Sequence, residues 1–304
     1  MNNYNKNQVE NLSNFHFSFI NLEENNNNFK ITLNRPNKKN ALHPQMVNEI
    51  AFAMHYAHFK KTIWVVLFEA EGTVFCSGAD LKAMSGDVEP NDSTIPLPNN
   101  EILIGELFNK IYKPTIAVVN KDVYAGGFLI LAGCLFVVAN NRLNFSLPEV
   151  KRGLFPMQVM ASLIKIMPKR KVLDWCVRGY SITAEEAHSL GLLSHICNED
   201  EIHSVTNKLI EEIKENSPKA ISLGLEAYDN LYNTNNEHEY LSEMLNKMQQ
   251  NDDAKEGLSA FREKRKPNWT DSSYASIYQA TIDFCKDNGA FDPVSYTHLR
   301  AHET

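Results

Sequence analysis

The chain has 304 residues, 43% of them hydrophobic and 22% charged, with a formal charge of −7. At that length most of the apolar surface can be buried on folding, so the composition excludes fibrous, membrane-protein and wholly disordered classes and leaves a globular protein of one large or two modest domains. The negative charge argues against a general nucleic-acid surface, which draws on Lys and Arg clusters, and the longest apolar run, residues 128–139, is too short for a membrane span.

Residues 1–14 are rich in Asn, with neither the apolar core of a signal peptide nor the Arg-rich character of a transit peptide, so a disordered N-terminus and a cytoplasmic location are expected. Residues 15–21 and 29–34 alternate apolar and polar side chains, which predicts a hairpin turning at 23–28 and closed by Pro36. Met46, Val47, Ile50, Met54 and Ala57 recur at helical spacing, predicting a helix over 44–60 with Pro44 in its first turn. The continuous apolar run 63–68 reads as a buried strand. A small, polar loop follows at 72–80, and a helix begins at Leu81.

The same unit recurs, with a strand at 116–120, the loop Ala125-Gly126-Gly127, a helix over 128–134 and a strand over 135–139. Two such units in succession predict an α/β layered core with crossover connections. Between them, 85–100 is rich in Pro, Asn, Asp and Ser and reads as a surface loop or lid.

From Pro156 the strand signal gives way to helices over 157–167, 169–177, 183–190, 201–215 and 219–231, then a polar stretch to Arg265. Thr183 with Glu186 forms a capping-box pattern. The chain therefore divides into a core over 15–200, a helical region over 201–270 suited to subunit contacts, an unassigned stretch at 271–293 and an ending at 294–304 that fits nothing before it and reads as a non-native appendage. Cys76, Cys134, Cys176, Cys197 and Cys285 are widely spaced and odd in number, which predicts reduced thiols. His298 and His302 lack a third ligand nearby, and no metal is expected.

Three segments carry chemistry: I-T-L-N-R-P-N-K-K-N-A-L from Ile31, F-C-S-G-A-D-L from Phe75, and K-P-T-I-A-V-V-N from Lys113 running toward A-G-G. With L-P-E-V at Leu147 and A-E-E-A-H-S-L-G-L-L at Ala184 in the same order, the chain resembles the crotonase superfamily, the enoyl-CoA hydratases and isomerases, over residues 15–269. The resemblance implies a crotonase-like α/β spiral of repeated ββα units with a helical C-terminal region, assembled as a homotrimer or a dimer of trimers. It implies acyl-CoA or enoyl-CoA as substrate, with no cofactor beyond the substrate's own coenzyme A.

An acyl-CoA enolate carries negative charge on its thioester oxygen, and backbone N–H groups aimed at that point stabilise it. The resemblance places these donors at Ala79 and Gly126 and the acid–base carboxylate at Glu149, whose pKa an apolar pocket would raise. It assigns coenzyme A contacts to Lys38, Lys39, Ala41, Leu42, Ser77 and Lys82, and to Phe261 and Lys264 from a neighbouring subunit.

Departures from the pattern carry information too. Leu129 stands where hydratases keep a second glutamate, so the sequence leans toward isomerisation, which needs one base, rather than hydration. Asp122 is a candidate replacement carboxylate, and Gly127 an alternative second donor because Ala125 replaces the first glycine of the loop. The competing readings are a pseudoenzyme that binds acyl-CoA without turnover, a decarboxylase or thioesterase of the same superfamily, and a serine hydrolase built on Ser77, for which no histidine lies in the matching stretches.

Overall fold

A computed structural model describes residues 3–231 and 237–270. The chain opens with β1 (Ile20–Asn25) and β2 (Asn28–Leu33), antiparallel with Asn25 facing Asn28. The turn is tighter than the one expected at 23–28: only Asn26 and Asn27 form it, with φ of 47° and 64°. Two successive left-handed residues match the twist of a two-residue hairpin, and asparagine tolerates that conformation. Residues 15–19 are not strand, and their alternating aromatic side chains pack on α1 (Pro44–Phe59), with Phe15 5.0 Å from Phe52 and Phe19 4.8 Å from His43.

The disordered N-terminus expected from composition is corrected here for the described part, residues 3–14. Tyr4 and Val9 are buried, and Tyr4 meets Phe52 and His55 of α1 edge-on at 5.1 and 5.4 Å. The buried Glu49 carboxylate accepts hydrogen bonds from the backbone N–H groups of Ser18 and Phe19 at 2.7 and 2.9 Å. A few apolar anchors in an Asn-rich stretch thus suffice to dock it, because α1 offers an apolar face that the sheet does not cover.

After α1 come β3 (Val65–Ala70), the short helices α2 (Leu81–Met84) and α3 (Ile104–Leu107), then β4 (Thr115–Val119), β5 (Val123–Tyr124), α4 (Phe128–Gly133), β6 (Phe136–Asn140) and β7 (Asn144–Ser146). Residues 85–103, apart from helices and strands, form the expected loop. Next follow α5 (Met157–Leu163), α6 (Lys169–Arg178), β8 (Ser181–Thr183), α7 (Ala184–Ser189) and β9 (His195–Cys197). Four helices close the described chain: α8 (Ile202–Lys214), α9 (Pro218–Leu231), α10 (Glu237–Gln250) and α11 (Asp252–Glu263). The last two occupy what the sequence shows only as a polar stretch.

The main sheet runs β1-β2-β3-β4-β6-β9, parallel from β2 onward, and a small second sheet runs β5-β7-β8. A parallel sheet must be covered on both faces, and its strands alternate accordingly. Val66, Phe68, Ala117, Val119, Val137 and Ala139 join the large core with α1 and α4. Val65, Leu67, Ile116, Val118 and Val138 face Ile202, Leu209 and Ile210 of α8. Helix α8 is therefore a layer of the core, within the stretch 191–216 where the change from core to helical region is expected.

Thr183 Oγ1 accepts from Glu186 N at 3.2 Å and caps α7, one of the two bonds of the expected capping box. Cys76, Cys134, Cys176 and Cys197 are free thiols, and no helix among the described residues is long and apolar enough to cross a membrane. Cys285, His298, His302 and the ending at 294–304 lie outside the described residues.

Candidate active site

A cleft of about 740 Å³ opens beyond the C-terminal ends of the parallel strands, the usual position for a site in such sheets. It is lined by Lys38, Ala41, Ser77, Ala79, Lys82, Gly126 and Glu149, so seven residues expected from separate motifs come together. Leu129, Arg152, Leu154, Phe155 and Val159 supply much of the remaining wall.

The first loop is built on backbone pairing. Leu42 N donates to Gly78 O at 2.8 Å, and Asp80 N donates to Leu42 O at 3.2 Å, forming a parallel bridge between Leu42 and Ala79. In an extended chain alternate peptide groups point to opposite sides, so the N–H of Ala79 is turned away from Leu42. Ala79 itself lines the cleft, and its N–H meets no protein acceptor among the described residues.

Gly126 sits in the second loop, in a short 3-10 turn leading into α4, and its N–H is likewise without a protein acceptor among the described residues. The two loops touch. A Cβ added to Gly126 would lie 3.3 Å from Ala79 N, and one added to Gly78, where φ is +92°, would lie 2.6 Å from Ala125 Cβ and 2.7 Å from Gly126 N. Ala125 holds a left-handed φ of 51°, costly for a residue with a Cβ. Gly127 points elsewhere: its Cβ would collide with Cys76 O at 2.9 Å, inside the core, which places Gly126 rather than Gly127 beside Ala79.

Glu149 begins a 3-10 turn after Pro148 and is half-buried. Burial pushes its carboxyl pKa above the ordinary value, with Arg152 opposing, and its buried Oε2 has no hydrogen-bond partner. Leu129, 8% exposed on α4, lines the same cleft with an alkyl side chain. Asp122 does not supply a second carboxylate there, since it lies outside the cleft lining and accepts bonds from Asn144 N at 3.0 Å and Tyr124 OH at 3.1 Å.

Other expected contacts divide by what their backbones already do. Ala41 N donates to Lys38 O, Ser77 N to Lys39 O, and Leu42 N to Gly78 O, all at 3.0 Å or less, so these three N–H groups build the loop instead of facing a ligand. Lys38 and Lys82 line the cleft, whereas the side chain of Lys39 and the buried Leu42 do not. Phe261, 83% exposed on α11, and Lys264, in a left-handed C-cap, are not part of this chain's cleft either. No histidine lines the cleft beside Ser77, so the serine-hydrolase reading lacks its base. Among the described residues, no cluster of three His, Cys, Asp or Glu side chains could hold a metal ion.

Sequence reasoning quoted Arg35 and Asp80 within motifs but assigned neither a task. The Arg35 guanidinium, 6% exposed, donates to Ala41 O at 3.1 Å and Asp80 Oδ2 at 2.7 Å, and pairs with Glu89. Burial pushes the Asp80 carboxyl up, but Arg35 and the N–H groups of Ala83 and Lys82 outweigh it and hold its pKa below the ordinary value. Asp80 also caps α2 through those N–H groups. One buried cation thus pins the residues on both sides of the Leu42–Ala79 bridge. The signal was an arginine between an apolar strand and Pro36, where a solvated cation is not needed.

A mainly parallel sheet gathers the two glycine-bearing loops and the half-buried Glu149 carboxyl around one cleft. The chain belongs to the enoyl-CoA hydratase/isomerase family, whose model matches residues 23–272. It is 29% identical over 251 residues to the mevalonyl-coenzyme A hydratase sidH of Aspergillus fumigatus, covering 80% of this chain and 91% of that protein. It is 31% identical over 246 residues to the enoyl-CoA hydratase EchA19 of Mycobacterium tuberculosis, covering 79% of this chain and 91% of that one. The crystal structure of an enoyl-CoA hydratase from Mycobacterium tuberculosis superposes with a TM-score of 0.71 at 27% identity, over 83% of this chain and 99% of that chain. The crotonase fold expected from the motifs is the fold of these neighbours.

Proposed function

We propose that the chain is an enzyme of enoyl-CoA thioesters in which Glu149 moves the proton while the N–H groups of Ala79 and Gly126 hold the enolate oxygen. One observation carries this reading: the desolvated Glu149 shares a cleft with both N–H groups, and Leu129 stands where a second carboxylate would be. Ionised Glu149 takes a proton from C2 of a 3-enoyl-CoA, and the C–H electron pair becomes the C1–C2 double bond of a dienolate as the thioester C=O pair moves onto oxygen. The same carboxyl then returns the proton to C4: the C=O re-forms, C2–C3 becomes double and the C3–C4 π bond supplies the new C–H bond, leaving a 2-enoyl-CoA. Hydration needs a further group to hold and deprotonate water, and Leu129 cannot serve, so double-bond migration proceeds at least as fast as hydration.

Lys38 and Lys82 hold the phosphates of coenzyme A, which belongs to the substrate, and no other cofactor takes part. Phe261 and Lys264 complete the coenzyme A site of a neighbouring protomer in a trimer or dimer of trimers, in the cytoplasm. The test is to incubate the protein with cis-3-enoyl-CoA and trans-2-enoyl-CoA of several lengths and analyse products. Rapid hydration without isomerisation would refute the single-carboxylate mechanism.

A further inference from the structure

Glu149 and Gly126 reach the cleft from different parts of the chain, and helix α6 touches the supports of both. Gly179 caps α6 in the left-handed region, with φ of +60° and its N–H donating to Trp175 O at 2.9 Å. It packs against the turn that carries Glu149: a Cβ added there would lie 2.8 Å from Val150 Cγ2 and 3.1 Å from Leu147 O, the residues that flank Pro148-Glu149 in sequence. Only glycine combines that φ with so close an approach. Trp175, 1% exposed, bridges to the other side of the site. Its Nε1–H donates to Tyr180 O at 2.8 Å, which fixes the cap beside Gly179, and its ring meets Phe128 edge-on, with centroids 5.0 Å apart. Phe128 opens α4 directly after the second loop, and its own N–H donates to the carbonyls of Ala125 and Gly126. Cys176, the next residue of α6, is fully buried, and burial followed by the nearby Glu149 carboxylate pushes its thiol up to about 11.

Resting on the reading of Glu149 as the proton carrier and Gly126 N–H as an oxyanion donor, we propose that Trp175 and Gly179 are positioning residues for the reaction. Together they form a strut that fixes the Glu149 carboxyl relative to the donor at Gly126. Neither lines the cleft, so both act through the residues they touch. Glu149 Oε2 has no hydrogen-bond partner to hold it, and its place therefore follows the backbone of its turn. That turn is shaped from within by Lys151 N donating to Pro148 O at 3.0 Å and Leu154 N to Glu149 O at 3.1 Å, bonds that do not tie it to the rest of the protein. Helix α6 supplies support from outside. A buried indole in a close-packed core moves only if its neighbours move, so Trp175 transmits the position of α4 to the cap and the cap passes it to the turn. Moving a proton between two carbons of one substrate is sensitive to such placement, since a misplacement of about 1 Å can cost about 10²-fold in rate. Lys38 and Lys82 belong to the first loop, away from α6, so the hold on coenzyme A does not depend on the strut.

A double-mutant cycle tests this, with kcat taken per folded molecule below each variant's melting transition. Gly179→Ala should lower kcat for isomerisation of cis-3-octenoyl-CoA by about 10- to 100-fold, while the Kd of the unreactive octanoyl-CoA, measured by calorimetry, stays within about twofold. In a Val150→Ala background, where the atom nearest the added Cβ is gone, the same substitution should cost less than about threefold. Trp175→Phe keeps a ring for Phe128 but loses the bond to Tyr180 O; it should lower kcat by about tenfold with Kd again held, and it decides the matter if Gly179→Ala does not fold. Wild-type kcat in either variant overturns the inference. So does a loss of kcat and binding in equal proportion, or a Gly179→Ala penalty that Val150→Ala leaves unchanged. These outcomes are read beside Glu149→Gln: with that variant inactive they strike the strut alone. A Glu149→Gln variant of unchanged kcat, or a wild type that isomerises no 3-enoyl-CoA, instead overturns the proposed function.

Discussion

Gly78→Ala places one methyl group where the two loops meet, and its cost follows from the coordinates. The backbone there has φ of +92°, and an L-residue forced into the left-handed region loses about 1–2 kcal/mol. The new Cβ would lie 2.6 Å from Ala125 Cβ and 2.7 Å from Gly126 N, and neither is the free end of a flexible side chain. Relieving such overlap by backbone shifts costs about 1–3 kcal/mol. The sum, about 2–5 kcal/mol, predicts a melting temperature lower by roughly 3–9 °C in a domain of this size. The shift must also part Ala79 N from Gly126 N, because Gly126 N is one of the atoms struck. Losing one donor to a developing oxyanion costs about 10²–10³ in kcat. The assay is thermal unfolding followed by circular dichroism, with kcat for 3-enoyl-CoA isomerisation measured well below the variant's transition. A variant with wild-type melting and kcat would refute the packing argument. One that melts early but keeps kcat per folded molecule would show that these N–H groups do not hold the oxyanion.

Glu149→Gln should lower isomerisation by about 10²–10⁴-fold while acyl-CoA binding, measured by calorimetry, persists. Because the folded pKa of Glu149 is raised, the wild type bears the cost of an ionised buried carboxyl at neutral pH; the Gln variant should therefore be more stable in urea at pH 7, with the difference closing as pH falls below the ordinary value of 4.5. Leu129→Glu should raise hydration of trans-2-enoyl-CoA by about tenfold or more, read as the 3-hydroxyacyl product, and an unchanged product ratio would count against a missing second carboxylate. Arg35→Met leaves the partly buried Asp80 with only the N–H groups of Lys82 and Ala83 and should destabilise by about 1–3 kcal/mol in denaturant titration. In the wild type the Asp80 pairing contributes above the ordinary pKa of 3.8 and is lost as pH falls through the depressed folded value, so wild type and variant should converge in acid. Lys82→Ala should weaken acyl-CoA binding by about 1–2 kcal/mol and reduce its salt dependence, both visible by calorimetry in a salt series.

The parts of this protein that the sequence alone determined are those whose signal is local. Helix α1 and strands β3, β4 and β6 are long enough to show a period or an unbroken apolar run, and they lie within a residue or two of the expected places. The loops at Gly78 and Gly126 are marked by residue type, because close backbone approach excludes side chains. That Leu129 stands where the resemblance implies a second glutamate is also a matter of sequence position alone.

Tertiary structure decided whatever depends on a distant partner. Strands β8 and β9 span three residues each, too few to carry a period, and exist because β7 and β6 offer them edges. Tyr4 is ordered because α1, some fifty residues away, presents Phe52 and His55. Asp122 and Glu149 are both acidic residues near a turn. Only folding turns one toward Asn144 N and Tyr124 OH and leaves the other with an unpaired oxygen in an apolar cleft, since burial and hydrogen-bond supply are properties of the surroundings and not of the residue.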